Sequence, residues 1–115
     1  MSRIKSGKVT RKRHKKVLKQ TKGFWGQRKN VFRRAKETLL RAMAFAFKGR
    51  KLKKRDMRAL FISRITAAAN QHGVSYSKFV SGLKKADIEL NRKMLSQIAV
   101  FDPSIFSKLV DISKG

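Results

Sequence analysis

Six consecutive residues, Arg11, Lys12, Arg13, His14, Lys15 and Lys16, set five cationic side chains around one imidazole. A little further on, Gly23-Phe24-Trp25-Gly26 brackets two aromatic rings with two glycines. A third cluster runs from Lys48 to Arg58 as Lys-Gly-Arg-Lys-Leu-Lys-Lys-Arg-Asp-Met-Arg. Ammonium and guanidinium groups at this density suit a phosphate-lined groove, where each contact releases bound counterions. Exposed rings stack on unpaired bases, and glycines let the backbone come close to phosphates. Phe24 and Trp25 have a second reading, as staples holding this stretch to a neighbouring helix. His14 reads as a hydrogen-bonding or stacking partner for RNA rather than as an acid–base group. A charge run is often only a solvated face, but here the interleaved Glu that i,i+4 pairing would supply is absent.

Other chemistry is poorly provided for. Glu37, Asp56, Asp87, Glu89, Asp102 and Asp111 are the six acids, and they are scattered. Asp87 and Glu89 fall in a short connector, where a solvated pair is expected rather than a catalytic dyad. No nucleophile elbow and no phosphate-binding glycine loop occurs. Cysteine is absent, and His14 and His72 are far apart, so no metal site and no cofactor is expected. The most apolar run, Leu39 to Phe47, contains Arg41 and is well short of the roughly 18 apolar residues that span a bilayer. The start of the chain lacks the apolar core of a secretory signal.

The charge is unevenly placed. The 115 residues carry 31 Lys/Arg and 6 acids, a formal +25. Residues 1–58 hold 23 Lys/Arg against two acids, a net of +21, and residues 59–115 a net of only +4. Like charges at this density repel in any compact form, so a counter-charge is expected in the working state. The division is read as a basic arm, 1–58, and a small body, 59–115. The arm is expected to acquire a stable shape only among phosphates.

The elements that must carry these residues are helical throughout, giving an all-α expectation with no strand alternation. Residues 1–10 read as an extended tail. Residues 10–21 read as a short basic helix with little apolar surface beyond Val17 and Leu18. Gly23 and Gly26 break it. A longer helix starts near Gln27, with Phe32, Leu39, Met43 and Ala46 on one repeat and Val31, Ala35 and Ala42 beside them. Arg28, Arg34 and Arg41 form its basic side, thickened by Arg33 and Lys36. Gly49 is expected to kink or interrupt it, at a cost near 1 kcal/mol relative to Ala. The pattern resumes through Leu52, Leu60, Phe61, Ile65, Ala68 and Ala69, and ends at Gly73 as a left-handed cap.

In the body, Ser75 caps a helix carrying Tyr76, Phe79, Val80 and Leu83, and Ile88 and Leu90 lie in a connector. Asn91 caps a helix with Met94, Leu95, Ile98 and Ala99. Asp102 caps a last helix with Pro103 at its first position and Ile105, Phe106, Leu109 and Val110 as its apolar face.

The candidate counter-charges are nucleic acid, an anionic membrane surface and an acidic protein. A DNA zipper would join the basic stretch to a dimerising heptad, and none is present. A helix-turn-helix on residues 76–101 would use Lys78, Lys84, Lys85, Arg92 and Lys93 and leave the strongest charge idle. Charge on more than one side of a helix fits burial within folded RNA. A nucleoid-type DNA-binding or messenger-binding regulatory protein is the alternative. A membrane-active cationic helix is the third reading, though the capped C-terminal helices need no membrane.

Several segments together carry a family resemblance. Arg13-His-Lys-Lys-Val-Leu-Lys19, Lys22-Gly-Phe-Trp-Gly26 and Lys54-Arg-Asp-Met-Arg-Ala-Leu-Phe-Ile-Ser-Arg-Ile65 occur in order. Ser75-Tyr-Ser-Lys-Phe-Val-Ser-Gly-Leu-Lys-Lys-Ala86 and Arg92-Lys-Met-Leu95 follow. The chain thereby resembles the large-subunit ribosomal protein L-twenty family of bacteria and organelles, over almost its whole length. The resemblance implies an arm threaded into 23S-type ribosomal RNA and a helical C-terminal domain at the subunit surface. It implies a structural role in early large-subunit assembly, apart from peptidyl transfer, beside neighbouring large-subunit proteins, with no membrane and no self-association required. The expected location is the ribosome, in the bacterial cytoplasm or an organelle's stroma or matrix. Some family members also repress their own messenger. Where the family pattern reads Tyr-Arg-Asp-Arg this chain has Phe47-Lys-Gly-Arg50, which again marks Gly49 as a weak point. Phe61 stands where Trp is common. The match begins almost at Met1, so a transit peptide is not expected.

Residues and resemblance converge on one RNA-contact set. It comprises Arg3, Lys5 and Lys8, then Arg11, Lys12, Arg13, His14, Lys15, Lys16, Lys19 and Lys22. Gly23, Phe24, Trp25 and Gly26 follow, with Arg28, Lys29, Arg33, Arg34, Lys36 and Arg41. Arg50, Lys51, Lys53, Lys54, Arg55, Arg58 and Arg64 complete it.

Overall fold

In the computed structural model, which describes residues 3–115, every regular element is a helix. The order is α1 (Gly7–Gln20), a 3-10 turn (Gly26–Lys29), α2 (Phe32–Gln71), α3 (Tyr76–Lys85), α4 (Arg92–Phe101) and α5 (Pro103–Lys114). Contacts divide the chain into two units, the second being Leu52–Gly115, so that the division falls within α2.

In the first unit, α1 starts at Gly7, so the expected tail is helical from there; Arg3 to Lys5 are irregular, and residues 1–2 of that tail lie outside the described residues. It extends back past Thr10 although Gly7 and Val9 are weak helix formers, the Thr10 N–H donating to Ser6 O at 3.0 Å. Its end is held by Thr21, which is fully buried. The Thr21 N–H donates to Val17 O at 3.2 Å and its hydroxyl to Leu18 O at 3.2 Å. Gly23 (φ +86) and Gly26 (φ +64) both occupy the left-handed region, where a Cβ is strained. That turn and the 3-10 segment delay the long helix to Phe32, five residues beyond the expected start.

α2 then runs unbroken through Gly49. The expected kink or interruption is not a break in the helix: a glycine weakens a helix without removing a hydrogen bond, and strong formers flank it. Phe32, Leu39 and Ala42 are half-buried and Ala35 fully buried, while Met43 and Ala46, expected on the same stripe, are exposed.

In the second unit, the end of α2 is closed by Gly73 (φ +75), as the sequence indicates. Gly73 N–H donates to Asn70 O (3.0 Å) and Val74 N–H to Ala69 O (3.1 Å), satisfying terminal carbonyls while packing Val74 beside Ala69. The end of α3 repeats the device with a non-glycine residue. Asp87 (φ +56) occupies the left-handed position, its N–H donates to Lys84 O, and Ile88 N–H donates to Leu83 O at 3.0 Å. Short polar side chains tolerate this conformation best. Asp87 therefore has a structural role at a helix end.

Ser75 accepts from Lys78 N–H at a long 3.5 Å, and Asn91 accepts from Met94 N–H at 2.9 Å. Asp102 departs from expectation: it stands at the start of α5, but its carboxylate accepts no capping bond, and Pro103 supplies the preset φ instead. The core comprises Ile65, Ala69, Val74, Phe79, Leu83, Leu95, Phe106, Leu109 and Val110. Phe79 and Phe106 meet at 5.1 Å between ring centroids, tilted by 37°. Met94 and Ile105, read as core, are about half exposed, because α4 and α5 turn Leu95 and Phe106 inward instead. Gly82 explains how closely α3 and α5 approach: a Cβ there would fall on the Ser113 carbonyl oxygen and 2.8 Å from its carbonyl carbon.

Candidate nucleic-acid interface

The first unit has little interior. Among its described residues only Thr21 and Ala35 are buried. On α1 and its C-cap, His14, Val17, Leu18 and Thr21 fall at i, i+3, i+4 and i+7 and are the sheltered face. Lys8, Arg11, Lys12, Arg13, Lys15, Lys16 and Lys19 all remain exposed around it. His14 lies on Phe32, stacked at 3.8 Å between centroids and 14° between planes. His14 thus spends one ring face inside the protein, where it joins α1 to the start of α2. The sequence hides this contact, since nothing in the spacing of His14 and Phe32 shows that the glycine turn brings them together.

The turn separates its two rings. Phe24 is half-buried, whereas Trp25 is 88% exposed. A free indole of that size, held between two left-handed glycines, has no packing role within the described chain. Arg28 is oriented by a bond from its guanidinium to Thr38 Oγ1 (3.0 Å), and that hydroxyl donates in turn to Arg34 O (2.8 Å).

Along α2 the cations surround the helix. In the first unit every residue from Met43 to Lys51 is exposed, and in the second every residue from Leu52 to Leu60. Arg33, Arg34, Lys36, Arg41, Arg50 and Lys51 belong to the first unit; Lys53, Lys54, Arg55, Arg58 and Arg64 belong to the second, and all are exposed. Lys48, absent from the expected set, is equally exposed. Lys51 places its ammonium 4.7 Å from the Phe47 ring centroid, a cation–π contact at the surface. Leu40, Met43, Phe45 and Phe47 are each more than half exposed as well. A helix that shelters neither its apolar nor its charged residues gains nothing from tertiary packing there.

Of the expected contact residues, only His14 and Phe24 are even partly sheltered; every other one is exposed. Sequence reasoning passed over Leu18 and Asn30, which line an open pocket with Lys15, Lys19, Lys22, Gly23 and Lys29. Their signal, an apolar and an amide residue flanked by lysines, becomes visible only once the turn folds.

No group of three or more potential metal ligands occurs among the described residues, and no helix of theirs is long and apolar enough to cross a membrane. Comparison with known proteins agrees with the geometry. Residues 3–109 match the family described as Ribosomal protein L20. The chain is 55% identical over 114 residues to the large ribosomal subunit protein bL20 of Caldanaerobacter subterraneus subsp. tengcongensis, covering 99% of this chain and 96% of that one. With the same coverage it is 54% identical to the bL20 protein of a Thermoanaerobacter species and 55% identical to that of Clostridium novyi. The chain belongs to the ribosomal protein L20 family: it is a structural protein of the large ribosomal subunit and not an enzyme.

Proposed function

We propose that the chain binds 23S-type ribosomal RNA directly through residues 1–58 and Arg64, and that this binding promotes early assembly of the large subunit. The work is done within the ribosome, in the cytoplasm, beside other large-subunit proteins. The observation that carries the reading is the exposure of α2 on every side from Met43 to Lys51, continued from Leu52 to Leu60, with cations all round. Duplex DNA presents a groove to one or two sides of a helix, whereas folded RNA encloses one. Surrounding phosphates would lower the repulsion among these cations and release counterions. Trp25 supplies a stacking surface for an unpaired base, and residues 59–115 form the small body that anchors the arm.

Hydroxyl-radical footprinting on protein-free large-subunit RNA tests the proposal. A discrete, salt-sensitive protected site is expected, and replacing single arm lysines with Ala should each lower the log–log salt slope by about 0.7 to 0.9. Equal affinity for duplex DNA and folded RNA in direct competition would overturn it in favour of a nucleoid-type protein.

A further inference from the structure

We infer that the turn after α1 forms a socket for one unstacked nucleotide of the bound RNA. The inference rests on the RNA-binding reading above and specifies what one part of that surface holds.

Three segments build the socket. Lys15 and Lys19 come from the last turns of α1, Lys22 from the turn itself, and Lys29 from the 3-10 segment. Between them lies an open hollow of about 440 Å³, wider than a phosphate group needs. Its walls are almost wholly apolar, formed by Leu18, the Gly23 backbone and the aliphatic stems of the lysines. The chemistry is thus divided: hydrocarbon inside, four ammonium groups belonging to its lining.

A phosphate alone would find no use for the apolar wall, and an apolar ligand none for four cations. A nucleotide turned out of its stack has both parts, a flat base to shelter from water and flanking phosphates. Asn30 adds an amide with donors and an acceptor, suited to a base edge.

The shape of the socket is set by the local fold of the turn. Thr21, fully buried, ties the end of α1 by two bonds, and Gly23 (φ +86) makes the reversal that brings Lys29 and Asn30 back beside Leu18. Four mutually repelling ammonium groups make the empty socket electrostatically unfavourable, a penalty that phosphates remove.

Two charge-conserving substitutions fill the pocket: Leu18→Trp in its wall and Asn30→Phe at an exposed position. Each full-length variant is bound to protein-free large-subunit RNA and probed with base-specific chemical modification, with circular dichroism confirming helix content. The expected result is an unchanged overall footprint and salt slope, with loss of protection at a single nucleotide, the same one in both variants. Absence of any footprint with the unaltered chain would instead defeat the RNA-binding reading. An intact footprint in which no single nucleotide differs would overturn the socket alone. As an independent measurement, the free chain is titrated with nucleoside monophosphates and with inorganic phosphate, following the amide signals of Leu18, Gly23 and Asn30 by NMR. A monophosphate should bind about ten-fold more tightly than inorganic phosphate, equivalent to about 1.4 kcal/mol. Equal affinity would reduce the site to a phosphate patch and refute the proposal.

Discussion

Gly82→Ala is the sharpest test of how the body is held together. At this position a methyl group meets backbone rather than a movable side chain: the Ser113 carbonyl oxygen, with its carbonyl carbon and Cα both at 2.8 Å. No rotamer change relieves the overlap. Restoring ordinary contact at 3.4 Å moves the two carbons by about 0.6 Å and the nearer carbonyl oxygen by more, enough to forfeit a quarter or more of the dispersion energy of contacts across that seam. Phe79 and Leu83 on α3 face Phe106, Leu109 and Val110 on α5 within one core, so the loss is shared by the largest buried side chains. Overpacking costs about 1–3 kcal/mol, the upper part of that range, about 2–3 kcal/mol, applying where backbone is the obstacle, and the better helix propensity of Ala returns about 1 kcal/mol. A net loss of about 1–2 kcal/mol is expected, against a total stability of roughly 3–10 kcal/mol for a unit of this size.

The assay is urea and thermal unfolding of the full chain, read from the methyl signals of Leu83, Leu109 and Val110 so that arm helices do not contribute. A fall in Tm of about 5–10 °C is expected. Shortening the chain after Ile112 removes the obstructing carbonyl. Gly82→Ala in that shortened chain should then be neutral or slightly stabilising relative to the shortened chain alone. If Gly82→Ala leaves the full chain as stable as before, or if shortening does not rescue it, the close α3–α5 approach is not what the glycine provides.

Other expectations follow from the same geometry. Gly49→Ala, where a Cβ meets open space and φ is ordinary, should favour the helical state of α2 by about 1 kcal/mol, measured as a gain in helix content by circular dichroism. Asp87→Gly should raise the stability of the body by up to about 1 kcal/mol in urea unfolding, because glycine relieves the left-handed strain at φ +56; destabilisation would show that the carboxylate does more than sit at a helix end. Asn91→Ala should cost about 1 kcal/mol through loss of the cap on α4, in the same assay. Trp25→Ala should leave unfolding unchanged and weaken RNA binding by about 1–3 kcal/mol with an unaltered salt slope, as stacking rather than charge is removed. With all polyanion removed, residues 10–58 should show fast amide exchange and no sharp melt, since Thr21 and Ala35 alone give that stretch almost no interior.

Much was legible before any coordinates. Helix-forming composition, caps at Ser75 and Asn91, Pro103 at a helix start and Gly73 at a helix end are local signals, and local hydrogen bonding realises them. The density of Lys and Arg without compensating acids, with Gly23-Phe24-Trp25-Gly26, pointed to RNA because charge and aromaticity belong to residue type whatever the fold. Element boundaries were less legible. α1 begins earlier than expected, α2 later, and Gly49 passes without a break, because propensity differences of a fraction of a kcal/mol decide such edges.

Helical periodicity named too many inward residues, Met43, Met94 and Ile105 among them, since a stripe shows which face is apolar but not how far a neighbour covers it. The sequence alone therefore determined that this chain is helical, polycationic at its start and equipped to meet phosphates. Only the tertiary structure decided that His14 stacks on Phe32, that Trp25 is exposed while Phe24 is half-buried, that Gly82 admits a backbone, and that four lysines line one open hollow with Leu18. Each of these depends on where a turn sends the chain next, a long-range consequence that no window of neighbouring residues contains.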